Sequence, residues 1–346
     1  MMNRSNSSIL NNCFVNIGTG IYQEHILKTL RHNNIFTIST DINPQARSLR
    51  YADTKIICSS SEYKKIYSNI LKIKKRKKLK IIGVITGCTR GAMFTSSYIA
   101  NKFKLEKLNL KTTRLICNKK LFLKKNNKSL FIKKSRFSYL KTNDFPIILK
   151  DDRFSGASGI EIINNVNQLK KKKIDNNYVI EKFVKAKHII VTGLVIKSKV
   201  SFYTIIEKKI NKNFTTKKLI FPSKLSKLEK ERINKFVKKK LNSINFNHGP
   251  FSFEIFFTIN NIYCAEIESS IPGSFINEFI LKKCLNINLV DLIIKNNKAE
   301  KLEFNNKLQG SMKIEFFYKN DFSMKNLKNK IYSGYKVLYK KINKED

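Results

Sequence analysis

Residues 249–268 read GPFSFEIFFTINNIYCAEIE, and the interpretation of the whole chain starts from this stretch. Two runs rich in aromatic and β-branched residues flank Asn260-Asn261, a dipeptide typical of tight turns. The pattern predicts a β-hairpin with strands at 251–258 and 262–267.

Three carboxylates fall on this hairpin, at Glu254, Glu266 and Glu268. Alternation along a strand puts Glu266 and Glu268 on one face, and a hairpin centred on the two asparagines sets Glu254 opposite them. Grouped carboxylates repel one another, and burial raises their pKa values, unless cations lie between them. Oxygen ligands close to phosphates favour Mg²⁺ over softer metals. The alternative is three solvent-facing acids paired with the abundant lysines.

The charge of the chain is strongly basic, with 69 Lys and Arg against 25 Asp and Glu and a formal net charge of +44. Such an imbalance suggests a polyanionic partner such as nucleic acid. The excess is spread along the chain, however, together with the Asn and Ile that A/T-rich codons favour. We therefore prefer a solvated basic surface and do not expect nucleic acid as the partner. The densest run, 72–80, is expected to end a helix.

The spacing of the cysteines and the hydropathy of the chain indicate the cellular compartment. The 6 cysteines form no CxxC pair and accompany no histidine cluster at metal-ligand spacing, so we expect reduced thiols and no zinc. No window approaches the roughly 18 apolar residues of a membrane span, and residues 1–12 lack the apolar core of a signal peptide. The expectation is a soluble, cytoplasmic protein that does not engage a membrane.

The first hundred residues alternate short apolar runs with amphipathic stretches, which is typical of parallel strands joined by crossover helices. Gly18-Thr19-Gly20 after the first strand and Asp41 at the end of the second raise the alternative of a dinucleotide site. Gln23 stands where that motif requires a third small residue, so a simple tight turn is preferred. We expect strands at 13–17, 35–39, 55–58 and 80–85 and helices at 23–31, 62–71 and 92–102.

Residues 145–150, FPIILK, form an apolar run that ends in a lysine, as in a strand that delivers a cation to a site. A polar loop with Gly156 and Gly159 follows. Small residues let backbone N–H groups approach phosphate oxygens, and the ammonium of Lys150 would neutralise them. The loop lacks the GK[ST] of a Walker A motif, and a hairpin with a surface lysine is an equal alternative. Further strands are expected at 178–183, 189–196 and 201–206, with a helix at 226–241.

Together these segments resemble the ATP-grasp superfamily from about residue 13 to residue 292. The resemblance implies an α/β and α+β fold, in which a Rossmann-like pre-ATP-grasp domain precedes an ATP-grasp fold of two α+β subdomains. The domain limits that we expect are 1–110 for the first domain, 111–300 for the ATP-grasp domain with its lid at about 125–182, and 301–346 for a C-terminal closing segment.

The nucleotide site that the resemblance implies includes two lysines, a glycine-rich loop and a hinge. Asn118-Lys119 resembles the family's Asp-Lys pair, and residues 156–160, GASGI, resemble the loop that folds over the triphosphate and excludes water. Residues 181–184, EKFV, resemble the hinge that meets adenine. Many members place a ribose-binding Glu seven residues after the hinge Glu, where this chain has His188; a surface histidine is the alternative. The implied ATP contacts are Lys119, Lys150, Gly156, Ser158, Gly159, Glu181, Lys182, Val184 and His188.

The hairpin resembles the two metal-bearing segments of the family, with Glu254, Glu266 and Glu268 as the implied Mg²⁺ ligands. Where the family reads Glu-x-Asn-x-Arg, this chain ends the motif with Ser270. A serine cannot supply the guanidinium that steadies a phosphate or a substrate carboxylate. Our hypothesis is that Arg153 or Arg90 supplies that charge as the catalytic arginine.

The resemblance implies an ATP-dependent ligase that activates a carboxylate as an acyl-phosphate and joins it to an amine, releasing ADP and phosphate. Its cofactors would be ATP and one or two Mg²⁺ ions, with Mn²⁺ as a substitute. Its partners would be a small-molecule carboxylate and amine and a second copy of the chain in a homodimer. The alternatives are a degenerate ATP-grasp protein that binds nucleotide or a partner without turnover, and a polyanion-binding protein on the same fold.

Overall fold

The computed structural model of the chain describes residues 12–87, 90–133, 139–152, 159–304, 308–318, 331–332 and 335–342. Their strands form one parallel sheet and two antiparallel sheets. This mixture of sheets and helices confirms the predicted α/β and α+β fold class. No helix within the described ranges combines the length and the apolar composition that crossing a bilayer requires.

The N-terminal part of the molecule is a four-stranded parallel sheet in the order β3-β2-β1-β4. Both faces of β1 are buried, because Val15 packs into one hydrophobic cluster and Phe14 into another, as expected for a sheet covered on both sides. The predicted strands and helices of this region are confirmed. Their observed bounds are β1 (Asn12–Ile17), α1 (Glu24–His32), β2 (Phe36–Asp41), β3 (Thr54–Ile57), α2 (Tyr63–Lys77), β4 (Lys80–Thr86) and α3 (Gly91–Lys102).

Helix α2 continues past the end predicted at residue 71, and most of the cationic run lies in its last turns. Ile66, Ile70 and Ile73 are spaced three and four residues apart and are buried on one face of the helix. Lys72, Lys75 and Lys77 are exposed, so the continuation of the helix places charge in solvent. The expected solvated helix end is confirmed.

The turn after β1 is stabilised by a side chain at the end of the neighbouring strand β2. The carboxylate of Asp41 accepts hydrogen bonds from the backbone N–H of Thr19 at 2.8 Å and from its hydroxyl at 2.7 Å. A dinucleotide site would need that carboxylate for a ribose hydroxyl. Its use within the turn supports the tight-turn interpretation.

A smaller antiparallel sheet in the order β6-β5-β7 follows two helices. Strand β5 begins two residues later than predicted, after Pro146, which has no N–H to donate to a ladder. Ile147, Leu149 and Ile180 form part of the small core of this lobe. The observed bounds are α4 (Leu110–Cys117), α5 (Lys119–Asn126), β5 (Ile147–Asp151), β6 (Ile160–Ile163), α6 (Val166–Lys170) and β7 (Tyr178–Lys182).

The largest sheet is antiparallel and has eight strands in the order β12-β11-β8-β9-β10-β13-β15-β14. Helix α7 covers one side, because its buried residues Ile233, Val237 and Leu241 share a cluster with Phe251 and Phe253 of the sheet. The predicted hairpin and the predicted helix are confirmed. The observed bounds are β8 (Lys187–Ile196), β9 (Lys199–Ile210), β10 (Thr216–Phe221), α7 (Lys227–Ser243), β11 (Gly249–Phe257), β12 (Ile262–Glu268), β13 (Ser311–Tyr318), β14 (Ile331–Tyr332) and β15 (Tyr335–Ile342).

One hydrophobic core joins the parallel sheet to the eight-stranded sheet. Leu27 of α1 and Ile206 of β9 belong to the same buried cluster, together with a π-helical segment (Ile276–Cys284) and helix α8 (Leu289–Asn297). Each such side chain stabilises the fold by about 1.5–3 kcal/mol when fully buried. The C-terminal region was expected to form a small closing element. Its strand β13 instead extends the eight-stranded sheet by pairing with β10. The domain limits given above remain predictions.

Candidate active site

A cleft of about 1520 Å³ lies between the three-stranded sheet and the eight-stranded sheet. Its volume exceeds the roughly 300–1000 Å³ of an ordinary small-molecule pocket, so it has room for a nucleotide and a second ligand. The lining includes ten of the predicted site residues: Arg90, Lys119, Lys150, Glu181, Lys182, Val184, His188, Glu254, Glu266 and Glu268.

The predicted glycine-rich loop is only partly described. Arg153, Gly156 and Ser158 lie outside the described residues. Gly159, at a positive φ of 73°, does not line the cleft, but its carbonyl oxygen accepts a hydrogen bond from the N–H of Asp151 at 2.9 Å. This bond closes the base of the loop at the end of β5.

The acidic hairpin owes its geometry to a β-bulge. Beside the turn, Phe257 pairs with Ile262, and continuing that count would pair Glu254 with Ala265. The bulge next to Glu254 shifts the register by one residue, so Glu254 lies directly opposite Glu266. Because a slip of one residue moves side chains to the other face of a sheet, the bulge brings these two carboxylates to the same side.

A second bulge extends this charged row across the sheet. Near the turn between β8 and β9, Ile196 pairs with Lys199, and the same count would pair His188 with Glu207. The bulge instead pairs His188 with Lys208. His188 and Lys208 therefore lie on the cleft face, beside Glu254. Lys208 was missed in the sequence, because nothing in its neighbourhood distinguishes it from the other lysines until the bulge is known.

Glu254 is neutralised by the protein itself. Its Oε1 lies 2.8 Å from Nζ of Lys208 and 3.6 Å from Nδ1 of His188. Burial by itself raises the pKa of Glu254, but these two partners outweigh it, so the pKa lies well below the usual range. The pKa of Lys208 is raised in return, because Glu254 more than offsets the effect of burial. Glu254 is thus a stable anion within a closed ion pair.

Glu266 and Glu268 are in the opposite state. Burial and the charge of Glu254 raise the pKa of both, and the charge of Glu266 raises that of Glu268 further, to about 8. Among the described residues neither forms an ion pair within 4 Å. Lys119, Arg90 and Lys150 oppose the shift of Glu266 only at longer range. As far as the described residues show, two carboxylates of the row therefore have no counter-ion in direct contact.

The facing sheet contributes a lysine on an apolar surface. Nζ of Lys150 lies 2.6 Å from Oε1 of Glu181, and the two side chains are 14% and 3% exposed. Ile148, Ile160 and Ile162 line the cleft around this pair. Such a surface suits a flat aromatic ring next to phosphate groups.

Two further cations of the cleft come from the start of a helix and from the loop after β4. Lys119 begins α5, and the side chain of Asn118 caps that helix by accepting a hydrogen bond from the N–H of Leu121 at 2.8 Å. Burial lowers the pKa of Lys119. Arg90 donates to the backbone oxygen of Asp152 and lies 3.5 Å from its carboxylate, which ties the loop after β4 to the base of the glycine-rich loop.

Ser270 does not replace the missing arginine. Its side chain is 1% exposed and does not line the cleft. Arg90 lines the cleft and lowers the pKa of Glu266, so it lies near the carboxylates. Its position keeps it as the candidate for the missing guanidinium.

The donor set suits a magnesium–nucleotide complex better than a bare metal ion. The carboxylates offer only oxygen, the ligand that Mg²⁺ prefers. Within the described ranges, however, no three His, Cys, Asp or Glu side chains are arranged to hold a metal by themselves. Mg²⁺ is commonly bound through one or two carboxylates plus substrate phosphates. Glu266, with Glu254 or Glu268, provides that number.

Comparison with known proteins shows the fold. No protein-family model and no curated protein sequence matches the chain. The L-amino acid ligase from Bacillus licheniformis is 17% identical with a TM-score of 0.73, over 89% of this chain and 80% of that one. An N5-carboxyaminoimidazole synthetase from Staphylococcus aureus, complexed with ADP, is 17% identical with a TM-score of 0.70, over 93% and 87%.

A third similar structure contains magnesium. It is the biotin carboxylase domain of 2-oxoglutarate carboxylase from Hydrogenobacter thermophilus, in complex with MgADP and bicarbonate, and it is 16% identical with a TM-score of 0.71 over 92% of this chain and 77% of that one. These neighbours are ATP-grasp enzymes, and each covers most of the chain. This chain therefore has the ATP-grasp fold.

Proposed function

We propose that the protein is an ATP-dependent ligase that activates a carboxylate and joins it to an amine. One observation carries the proposal: the cleft brings the cations of one lobe, Lys119 and Lys150, together with the carboxylates of the acidic hairpin. Cations on one side and carboxylates on the other are what a triphosphate with its divalent ion requires. The similar structures with ADP and MgADP support the same ligand.

The reaction would proceed in two transfers. A substrate carboxylate oxygen attacks the γ-phosphorus of ATP, the bond to the β-phosphate oxygen breaks, and ADP leaves. The amine then attacks the acyl carbon, phosphate leaves, and the nitrogen loses a proton as the amide forms. Lys119 and Lys150 would hold phosphate oxygens, while Arg90 would hold the substrate carboxylate or the transferred phosphoryl group.

The hairpin carboxylates would hold one or two Mg²⁺ ions, whose chemistry is to neutralise the charge that develops during phosphoryl transfer. Glu181, Lys182 and Val184 would contact the adenine, and His188, which lines the cleft beside Glu254, would contact the ribose. The glycine-rich loop would cover the phosphates and exclude water. We name no general base, because positioning and electrostatics account for most of this chemistry.

A second candidate function is nucleotide binding without turnover. It is favoured by Ser270, which is buried where the family motif has an arginine. The two functions share the nucleotide site and differ in whether ADP is formed.

The test is to measure ATP binding and ADP release with panels of carboxylic acids and amines in the presence of Mg²⁺. We expect ADP and phosphate in equal amounts when a matching pair is present. Lys150→Met should weaken ATP binding. The control is Lys218→Met, which breaks a 2.6 Å ion pair with Glu315 on the eight-stranded sheet, outside the cleft, and should leave ATP binding unchanged. If ATP binds but no mixture yields ADP, the second candidate function is supported. If ATP does not bind, both candidate functions are overturned.

A further inference from the structure

Lys208 differs from the other paired cations of the cleft in its partner, which is a carboxylate of the acidic hairpin. Its side chain is 12% exposed, and Nζ lies 2.8 Å from Oε1 of Glu254. The same carboxylate is one of those that would hold the divalent ion. The ammonium of Lys208 is therefore bound to a carboxylate oxygen that the metal ion would need as a ligand.

The surroundings of Glu254 show why the ammonium is there. Glu254 lies directly opposite Glu266 on β12, and both repel Glu268. The imidazole of His188 reaches the same oxygen at 3.6 Å, but its edge-on contact with Phe256, at 4.8 Å between ring centroids, fixes it against the sheet. Within the described part of the chain, Lys208 is thus the flexible full charge in direct contact with the row of carboxylates. Its charge lowers the pKa of both Glu254 and Glu268 and so offsets the repulsion within the row.

We infer that Lys208 is an internal counter-ion that occupies Glu254 in the metal-free protein and gives it up to the divalent cation that enters with the nucleotide. This inference rests on the proposed function. A dication at Glu254 would repel the ammonium, since both would compete for the same oxygens. The four-carbon side chain allows Nζ to move, and the phosphates that arrive with the metal offer it new acceptors.

The exchange predicts effects of opposite sign for one substitution. Removing the ammonium takes away the competitor for Glu254, so a divalent ion alone should bind more tightly. The same change removes a cation that the phosphates would use, so the nucleotide complex should bind more weakly. A purely structural lysine would not produce this pair of effects, because loosening the site weakens both ligands. Lys208 is accordingly a positioning residue for the metal.

The test compares wild type, Lys208→Met and Lys208→Gln, with Lys218→Met as the control for breaking a lysine–glutamate pair elsewhere on the sheet. Binding of Mn²⁺ without nucleotide is followed by the electron paramagnetic resonance of the free ion, and binding of MgADP by calorimetry. We expect both Lys208 variants to bind Mn²⁺ about tenfold more tightly than wild type and MgADP about tenfold more weakly, with the control unchanged. The glutamine variant keeps a hydrogen-bond donor and serves if the methionine variant unfolds.

The inference is overturned if removing the ammonium leaves Mn²⁺ affinity unchanged or lowers it, or if none of the proteins binds Mn²⁺ without nucleotide. These results are separable from a failure of the proposed function. If wild type binds MgADP, the ligase proposal stands and only the counter-ion role is lost. If wild type does not bind MgADP, the proposed function fails first.

Discussion

The two strands of the acidic hairpin differ in how their carboxylates are neutralised. On β11, Glu254 is paired with Lys208 and lies near His188, and its pKa is held low. On β12, Glu266 and Glu268 have raised pKa values and form no ion pair among the described residues. Within the described residues, the carboxylate of one strand is balanced by a direct ion pair and the two carboxylates of the other strand are not. The proposed function assigns the incoming divalent ion to this second, unbalanced strand together with Glu254.

Of the substitutions that test this contrast, Glu266→Gln is expected to have the largest effect, a loss of activity. Glu266→Gln keeps the shape of the side chain and removes a negative charge that faces Lys119, Arg90 and Lys150. We expect ATP-dependent ADP formation to fall by about 10²–10³-fold, as when one group that stabilises transition-state charge is removed. The measurement is steady-state ADP release with a matched substrate pair.

The control for Glu266→Gln is Glu300→Gln. Glu300 is 49% exposed, pairs with Lys298 at 3.8 Å and does not line the cleft, so its loss should leave the rate unchanged. If both variants keep full activity, the unpaired strand of the hairpin has no part in catalysis. The contrast between the strands would then be only structural.

Much of the fold and part of the site follow from local sequence patterns. Alternating apolar residues and turn signals predict the parallel sheet, the hairpin and the strand that ends near Lys150, because these patterns act over a few residues. The predicted hairpin set Glu254 opposite the pair Glu266 and Glu268, but its exact partner, Glu266, depends on a bulge that no residue type marks. The same is true of Lys208.

Tertiary contacts account for the other gaps. The contact of Arg90 with Asp152 joins residues 62 positions apart, and no local pattern predicts it. The pairing of β13 with β10 brings the C-terminal region into the large sheet, although its sequence resembles any short amphipathic strand. The lysine excess also hides the few lysines that line the cleft among 69 Lys and Arg.

A smaller effect is expected on stability at Glu268. Its pKa rises from 4.5 in the unfolded chain to about 8 in the fold, so the folded protein holds this proton more tightly. Its contribution to stability is complete below pH 4.5 and is lost as the pH rises towards 8. Glu268→Gln should therefore raise the Tm of the metal-free protein at pH 8 by about 2–4 °C and change it little at pH 5.

Thermal unfolding at the two pH values checks this prediction. Adding MgADP should stabilise wild type more than Glu268→Gln at pH 8, because only the wild-type carboxylate gains a cation. An equal Tm for the two proteins at every pH would show that Glu268 is solvated. The description of β12 as the unbalanced strand would then be wrong.

The smallest effect is expected for Glu278→Gln. This substitution tests the effect of burying a carboxylate at a place where no metal is proposed to bind. This residue lies in the π-helical segment, away from the hairpin, and burial together with Glu24 raises its pKa to about 7. Its contribution to stability is lost as the pH rises from 4.5 to about 7. Glu278→Gln should raise the Tm at pH 8 by about 1–2 °C. The shift should be the same with and without MgADP, and a dependence on the ligand would contradict the assignment of metal binding to the hairpin alone.

Calorimetric titration of wild type with ATP, once with Mg²⁺ and once with EDTA, tests the central claim most directly. If the lysines of one lobe and the carboxylates of the hairpin share a triphosphate and its ion, ATP should bind with Mg²⁺ and at least about tenfold more weakly without it. Equal affinity in the two titrations, or no binding in either, would contradict the account.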